Sequence, residues 1–217
     1  VSVGFPQVQE ALSARPARAL PEAVSSRAAV AVILREGERD GERTGPGGLE
    51  MLFIRRAEHE GDPWSGQIGF PGGRQEPGDR DLAATAERET EEEIGIDLRA
   101  SAVPLGALDE IRATARGRLV DLAIAPFVYR LTDAAAAIRL SPEVTDVHWI
   151  PLEDLTSDAH QGTFQYRHAD GSVDLPCLRV GEVVIWGLTY RMFSGLRERL
   201  DQTIVTPGGG FSSATVS

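Results

Sequence analysis

"GFPGGRQEPGDRDLAATAERETEEEIG", residues 69–95, starts near a glycine pair and ends in a run of glutamates that should repel one another. Asp81 to Ile94 reads as a helix. On a helix of about 3.6 residues per turn, Glu89, Glu92 and Glu93 stand at i, i+3 and i+4 and share one face, while Glu91 points away. Three carboxylates on one face lower stability by mutual repulsion unless a cation sits among them. One reading is therefore an oxygen-ligand site for a hard ion, Mg²⁺ or Mn²⁺, which takes carboxylates, waters and phosphates. A solvated acidic face is the alternative reading of the same residues. Gly72 and Gly73 favour the first, because they let the backbone approach closely and can aim a carbonyl at the same cation. Arg88, one turn before Glu92, can hold a carboxylate in place.

Upstream, "RAAVAVILRE" (27–36) has the short, β-branched composition of a buried strand. Polar "GERDGERTGPGG" and a second strand, "LEMLFIRRA" (49–57), complete a hairpin with a long, mobile tip. "EHEGDPWSGQ" (58–67) is a loop in which Trp64 is either a packed anchor or a flap over a substrate. "IGFPGG" gives a short strand and a tight turn. Downstream, "LGALDEI" (105–111) and "LVDLAIAPFVYRL" (119–131) read as strands joined through an Arg-rich turn, "RATARGR", with the second strand central. "VHWI" is a strand ended by Pro151, and Leu152 to Leu155 starts a turn of helix. Residues 160–186 suggest a hairpin region turning at "ADGS". Leu188, Met192, Leu196 and Leu200 are spaced for a helix that covers the sheet. Residues 1–26 read as a helix around "VQEALSARPARAL" plus an extended lead-in, and 205–217 as a disordered tail. No repeat or linker interrupts the rest, so one α/β domain is expected over 27–204.

With 217 residues and 41% hydrophobic content the chain suits a globular domain. Asp and Glu outnumber basic residues 33 to 22, a net charge of −11, which argues against backbone-driven nucleic-acid binding. A small anionic substrate is still compatible, since cations held by an acidic cluster reverse the local field and attract phosphate. All non-histidine basic residues are Arg, most simply a coding bias. The longest apolar runs fall well short of the roughly 20 residues of a bilayer span, so no membrane segment is expected. A lone Cys177 rules out an internal disulfide, and Val1 to Glu10 has no secretory pattern, so the expected location is cytoplasmic. Cys177 reads as a small buried residue, and His59, His148, His160 and His168 lack metal-ligand spacing. The pattern is compatible with a homodimer without specifying one.

The glutamate helix and its glycines resemble the box of the Nudix hydrolases, G-x(5)-E-x(7)-R-E-x(2)-E-E-x-G followed by an aliphatic residue. "RETEEEIGI", Arg88 to Ile96, matches the closing half, and "GRQEPGD" the opening half, with Gly73 as the box glycine. Asp79 stands where the family usually has Glu, and eight residues rather than seven separate it from Arg88. The resemblance implies an α/β/α sandwich around a mixed sheet and hydrolysis of a nucleoside diphosphate linked to another group. It further implies Glu89, Glu92, Glu93 and the Gly73 carbonyl as metal ligands, with Arg88 orienting the carboxylates. A general base must take a proton from the attacking water. The resemblance allows either a helix glutamate or a loop carboxylate in that role; Asp109, Glu110 and Glu143 are the loop candidates, and Glu110 joins Arg88 and the three box glutamates among the expected catalytic residues.

"SGQIGFPGG" after the "LFIRRA" strand, the spacing after Asp79, and "VIWGLTYRM" (184–192) are similar to the coenzyme A pyrophosphatase branch. Trp64 stands where that branch commonly has His. The branch implies cleavage of coenzyme A to 3′,5′-ADP and 4′-phosphopantetheine, with Arg55 or Arg56 meeting the 3′-phosphate; Trp64 and Gln67 are further expected substrate contacts. Another nucleoside diphosphate derivative, such as ADP-ribose, is the competing substrate. A non-catalytic nucleotide sensor is the competing class; such a module would be expected to lose glutamates from the helix face.

Overall fold

Ser26–Glu36 forms β1, the strand that organises the molecule in this computed structural model, which describes residues 3–20, 24–37, 48–61, 64–115, 118–133, 136–168 and 171–205. Residues 28–34 of β1 are buried without a break, because helices cover both faces of its sheet. Ala28, Val30, Val32 and Leu34 enter one core, and Ala29, Ala31 and Ile33 the other. The two-residue period thus sorts small side chains into two layers. The loop tip and the tail, expected to be mobile and disordered, fall at 38–47 and 206–217, outside the described residues.

Along one side β1 runs parallel to β7 (Arg118–Leu131), from Ser26 opposite Leu122 to Leu34 opposite Arg130. Its other side is shared by two antiparallel partners. Residues 34–36 pair with β2 (Leu49–Arg56), and residues 28–30 pair with β4 (Gly72–Arg74). This division sets Gly73 opposite Ala29. β3 (Ile68–Gly69) and β8 (Val144–Pro151) add to β2; β5 (Ala102–Ala107) and β6 (Ile111–Ala115) add to β7.

β6 corrects the sequence reading, which made 112–118 a turn. Arginine content hid a strand period: Ala113 is buried, and the Arg112 Nε donates to the Val120 carbonyl across the β6–β7 pair at 2.9 Å. The single strand expected at 105–111 is likewise broken after Ala107, where Asp109 and Glu110 turn to receive hydrogen bonds from the N-terminal segment.

α2 (Leu82–Ile94) lies on the Ala29, Ala31 and Ile33 face through Ala86 and Ile94. The Asp81 side chain accepts from the Ala84 N–H at 2.8 Å as its N-cap, and Gly95, at φ 76°, closes the other end. α3 (Leu98–Ser101) follows. On the opposite face lie α1 (Phe5–Ser13) and α5 (Gly187–Val205), with α4 (Leu152–Thr156) at the end of β8. α1 starts earlier than expected because Pro6 is tolerated in a first turn. It ends at Ser13 with Ala14 as its cap, and Pro16, two residues further on, has no N–H with which to continue it. A three-stranded antiparallel sheet, β9 (Gln161–His168), β10 (Gly171–Val180) and β11 (Val183–Trp186), leads into α5, one strand more than a simple hairpin. Helices on both faces of a mixed sheet make an α/β/α sandwich. Among the described residues, no helix is long and apolar enough to cross a membrane.

Candidate active site

The β4–β1 pairing carries the glycine pair beneath the glutamate face of α2. At Gly72, φ is 154° and an added Cβ would lie 2.3 Å from the Ala29 carbonyl oxygen, so the backbone of β1 closes that position to any side chain. At Gly73 the obstruction is the Glu89 carboxyl group, 2.4 Å from where a Cβ would stand. Gly72 is therefore fixed by the close approach of backbone, whereas a side chain at Gly73 would push the Glu89 carboxyl aside.

The three glutamates occupy different environments. Glu93 is 4% exposed; its Oε2 accepts from the Gly72 N–H at 2.9 Å and its Oε1 lies 3.7 Å from Arg56 Nη1. Burial pushes its pKa up to about 7, against the pull of the Gly72 amide and Arg56. Glu89 is half-buried, and burial again raises its pKa despite Arg88 Nη1 at 2.9 Å. Glu92 is exposed, with its Oε2 3.1 Å from the same Nη1. Glu91 faces away and pairs with Arg99.

Arg88 is the hub of this face. Its Nε and Nη2 donate to the two oxygens of Asp79 at 3.0 and 3.1 Å, and Nη2 also donates to the Arg74 carbonyl at 3.1 Å. The residue that lengthens the loop does not separate the pair: Asp79 reaches Arg88 and also accepts from the Glu76 N–H and the Thr85 hydroxyl, each at 2.9 Å. Arg88, first, and the Glu76 amide hold the Asp79 carboxyl far below the usual carboxylate range.

Among the described residues, no three acidic side chains are already gathered as ligands of one ion, since Arg88 bridges Glu89 and Glu92 while Glu93 turns to Gly72 and Arg56. The donor chemistry nevertheless fits a hard divalent cation. It consists of carboxylate oxygens on one face of one helix, packed against a residue whose missing Cβ leaves room for one of those carboxylates.

A cleft of about 470 Å³ collects Gly73, Arg88, Glu89, Glu92 and Glu93 with Arg56, Trp64, Gln67 and Glu143. Glu143 arrives because its loop is tied down twice. The Ser141 N–H donates to the Glu93 carbonyl at 2.9 Å, and the Ala57 N–H to the Glu143 carbonyl at 2.8 Å. Trp64 is an anchor whose Nε1 donates to the Thr114 carbonyl at 3.2 Å, and its ring also lines the cleft.

Three expected residues stand elsewhere. Glu110, expected to be catalytic, does not line the cleft; its carboxylate receives the Leu20 N–H and the Arg27 guanidinium. Asp109 is locked between Arg15 and Arg199. Arg55, expected to contact substrate, is also absent from the cleft lining, because neighbouring residues on a strand point to opposite faces and Arg56 takes the inward one. The sequence reading passed over Thr189, whose buried hydroxyl donates to the Ile68 carbonyl at 2.9 Å at the cleft wall. Its segment stood out by pattern, but nothing in the pattern linked it to β3.

The NUDIX domain family model matches residues 25–169, more than half of the chain. The human mitochondrial coenzyme A diphosphatase NUDT8 is 29% identical over 142 residues, covering 64% of this chain and 58% of that protein. The Caenorhabditis elegans peroxisomal coenzyme A diphosphatase ndx-8 is 32% identical over 115 residues, covering 52% of this chain and 46% of that protein. The chain spans about half the length of these curated relatives. A MutT/nudix family protein from Enterococcus faecalis shares the fold, with a TM-score of 0.52 at 18% identity over 84% of this chain and 65% of that one. A domain match of this extent, over a glutamate helix seated against its glycine pair, means that the chain belongs to the Nudix family.

Proposed function

We propose that this protein is a divalent-cation-dependent pyrophosphohydrolase of nucleoside diphosphate derivatives, with coenzyme A or its thioesters as the preferred substrate. The products would be 3′,5′-ADP and phosphopantetheine or its acyl form. The observation that carries the reading is the meeting of Glu89, Glu92 and Glu93 with Gly73, Arg56 and Glu143 in one cleft. Names of relatives and the "GQ-x-x-FPGG" segment support the coenzyme A choice.

Glu89, Glu92, Glu93 and the Gly73 carbonyl are the groups we assign to Mg²⁺ or Mn²⁺, which when bound would neutralise pyrophosphate charge and lower the pKa of a water. Arg88, held in place by Asp79, sets the directions of Glu89 and Glu92. Arg56 supplies a guanidinium to the phosphates through charge-assisted hydrogen bonds. Glu143 replaces Glu110 as the general base, being the one of the three loop candidates Asp109, Glu110 and Glu143 that lines the cleft. It takes the proton of a water whose oxygen bonds to phosphorus as the bridging P–O bond breaks and its electron pair leaves with the departing phosphate. A cytoplasmic location remains our reading of the single cysteine.

The test is mass-spectrometric product analysis after incubation with Mg²⁺ or Mn²⁺ and coenzyme A, ADP-ribose, NADH, diadenosine polyphosphates and oxidised dGTP. Fastest release of 3′,5′-ADP and phosphopantetheine is expected, and Glu92→Gln should abolish it while the protein stays folded. Faster cleavage of ADP-ribose or another member would remove the coenzyme A assignment. No cleavage with either ion would favour a nucleotide sensor.

A further inference from the structure

A second cleft, of about 420 Å³, adjoins the carboxylate cleft, and Trp64, Gln67 and Leu188 line both. Its walls come from separate elements: Trp64 from the loop before β3, Tyr166 from β9, Trp186 from β11 and Tyr190 from α5. Aromatic residues make up only 6% of the sequence, yet two of its three tryptophans and two of its three tyrosines stand here.

The rings are held in place before any ligand arrives. Cys177 pairs with Trp186 on one side and Gly162 on the other, so two small residues leave the Trp186 ring room to reach across the sheet. It stacks on Phe164 at 4.4 Å and 20°, and tilts against Tyr166 at 5.2 Å. Trp64 is fixed through its bond to Thr114. The remainder of the lining is mainly aliphatic, with the exposed Arg191 at its edge, anchored to the Arg112 carbonyl at 3.2 Å. Much of this wall lies beyond residue 169, where the Nudix domain match ends.

We propose that this aromatic cleft takes the planar heterocyclic base of the substrate's nucleoside half by stacking, an inference that rests on the pyrophosphohydrolase reading above. Two arguments select a base over a phosphopantetheine-like arm. A base is separated from its phosphate by a single sugar, which suits a cleft sharing residues with the carboxylate cleft. A base can also bury its faces while its polar edge stays wet, whereas the amides of the arm would be desolvated along a wall with few polar partners.

The experiment is isothermal titration calorimetry on the full chain in Mg²⁺ buffer with 5′-AMP, ribose 5-phosphate and 4′-phosphopantetheine, none of which contains a phosphoanhydride. AMP should bind at least about tenfold tighter than ribose 5-phosphate, and Trp186→Leu should weaken AMP on the order of tenfold. Because Trp186 also packs within its sheet, Val173→Trp serves as a second variant. Val173 is 41% exposed on the cleft lining, so the new ring should fill the cleft and abolish AMP binding without lowering the unfolding temperature. Equal affinity for AMP and ribose 5-phosphate overturns the proposal. So does tighter binding of 4′-phosphopantetheine that Val173→Trp removes. Hydrolysis of the substrate panel by the same preparation separates the two readings. Cleavage without base-dependent binding sinks the stacking cleft alone, and base-dependent binding without cleavage sinks the reaction alone.

Discussion

Gly73 carries no side chain because Glu89 fills the place its Cβ would take, so the glycine is tied to the carboxylate it accommodates. Gly73→Ala should displace the Glu89 carboxyl and reduce hydrolysis at least about a hundredfold, yet cost no more than about 1 kcal/mol of stability, because the group that yields is the free end of a side chain. In a Glu89→Ala background the same substitution should cost almost nothing, because the clash has gone. Equal destabilisation in both backgrounds, measured by denaturant unfolding, would show that the backbone and not Glu89 excludes the methyl group. A second residue-level expectation separates the loop acids. Glu143→Gln should lower kcat by roughly 10²–10⁴ with little change in KM, as removal of a general base does, while Glu110→Gln leaves kcat unchanged. The reverse pattern would return the base to Glu110.

At the scale of elements, what could be read in the sequence was what lies within one segment. The glutamate face of α2 and the buried run of β1 depend on local period, and both stand where the pattern placed them. The turn expected at 112–118 failed because arginine composition outweighed the alternation that makes β6. The choice among Asp109, Glu110 and Glu143 was beyond local pattern altogether, because it depends on which loop docks on α2. Asp109 instead clasps the N-terminal segment to α5: it receives Arg15 Nη1 at 2.7 Å and Arg199 Nη2 at 2.8 Å, and Arg199 is 3% exposed. Arg15, first, and the Arg18 amide and Arg199 hold the Asp109 carboxyl far below its ordinary range. A depressed carboxyl contributes stability above its unfolded pKa of about 4 and loses it as pH falls through the folded value. Asp109→Asn should therefore destabilise the chain at neutral pH by about 2 kcal/mol, a figure reduced for the partial exposure of the carboxylate, with a buried Arg199 left behind. In thermal unfolding the gap should hold from about pH 7 down to about 5 and then close as pH falls from about 4 towards about 2. A gap that stays constant over that range would mean that Asp109 acts through shape and not charge.

Across the whole molecule, the two clefts belong to different structural layers. The carboxylates stand on α2 and on the loop that leads into β8 of the large sheet, whereas the rings of the second cleft come largely from the small sheet and α5. A substrate spanning both needs those layers in fixed register, and the hydrogen bond from Thr189 on α5 to Ile68 on β3 contributes to it. That bond is buried, so Thr189→Val leaves the Ile68 carbonyl without its partner and should cost about 1–3 kcal/mol. Its functional effect should exceed that of an ordinary core defect. A shifted α5 carries Leu188 and Tyr190 out of line with the carboxylates, so KM should rise several-fold for a nucleotide substrate while kcat changes less, as loss of uniform binding dictates. Thr189→Ser keeps the hydroxyl and should restore KM. If Thr189→Val lowers the unfolding temperature but leaves KM unchanged, the latch serves stability alone, and the register between layers is held by the apolar contacts around Met192 and Leu196.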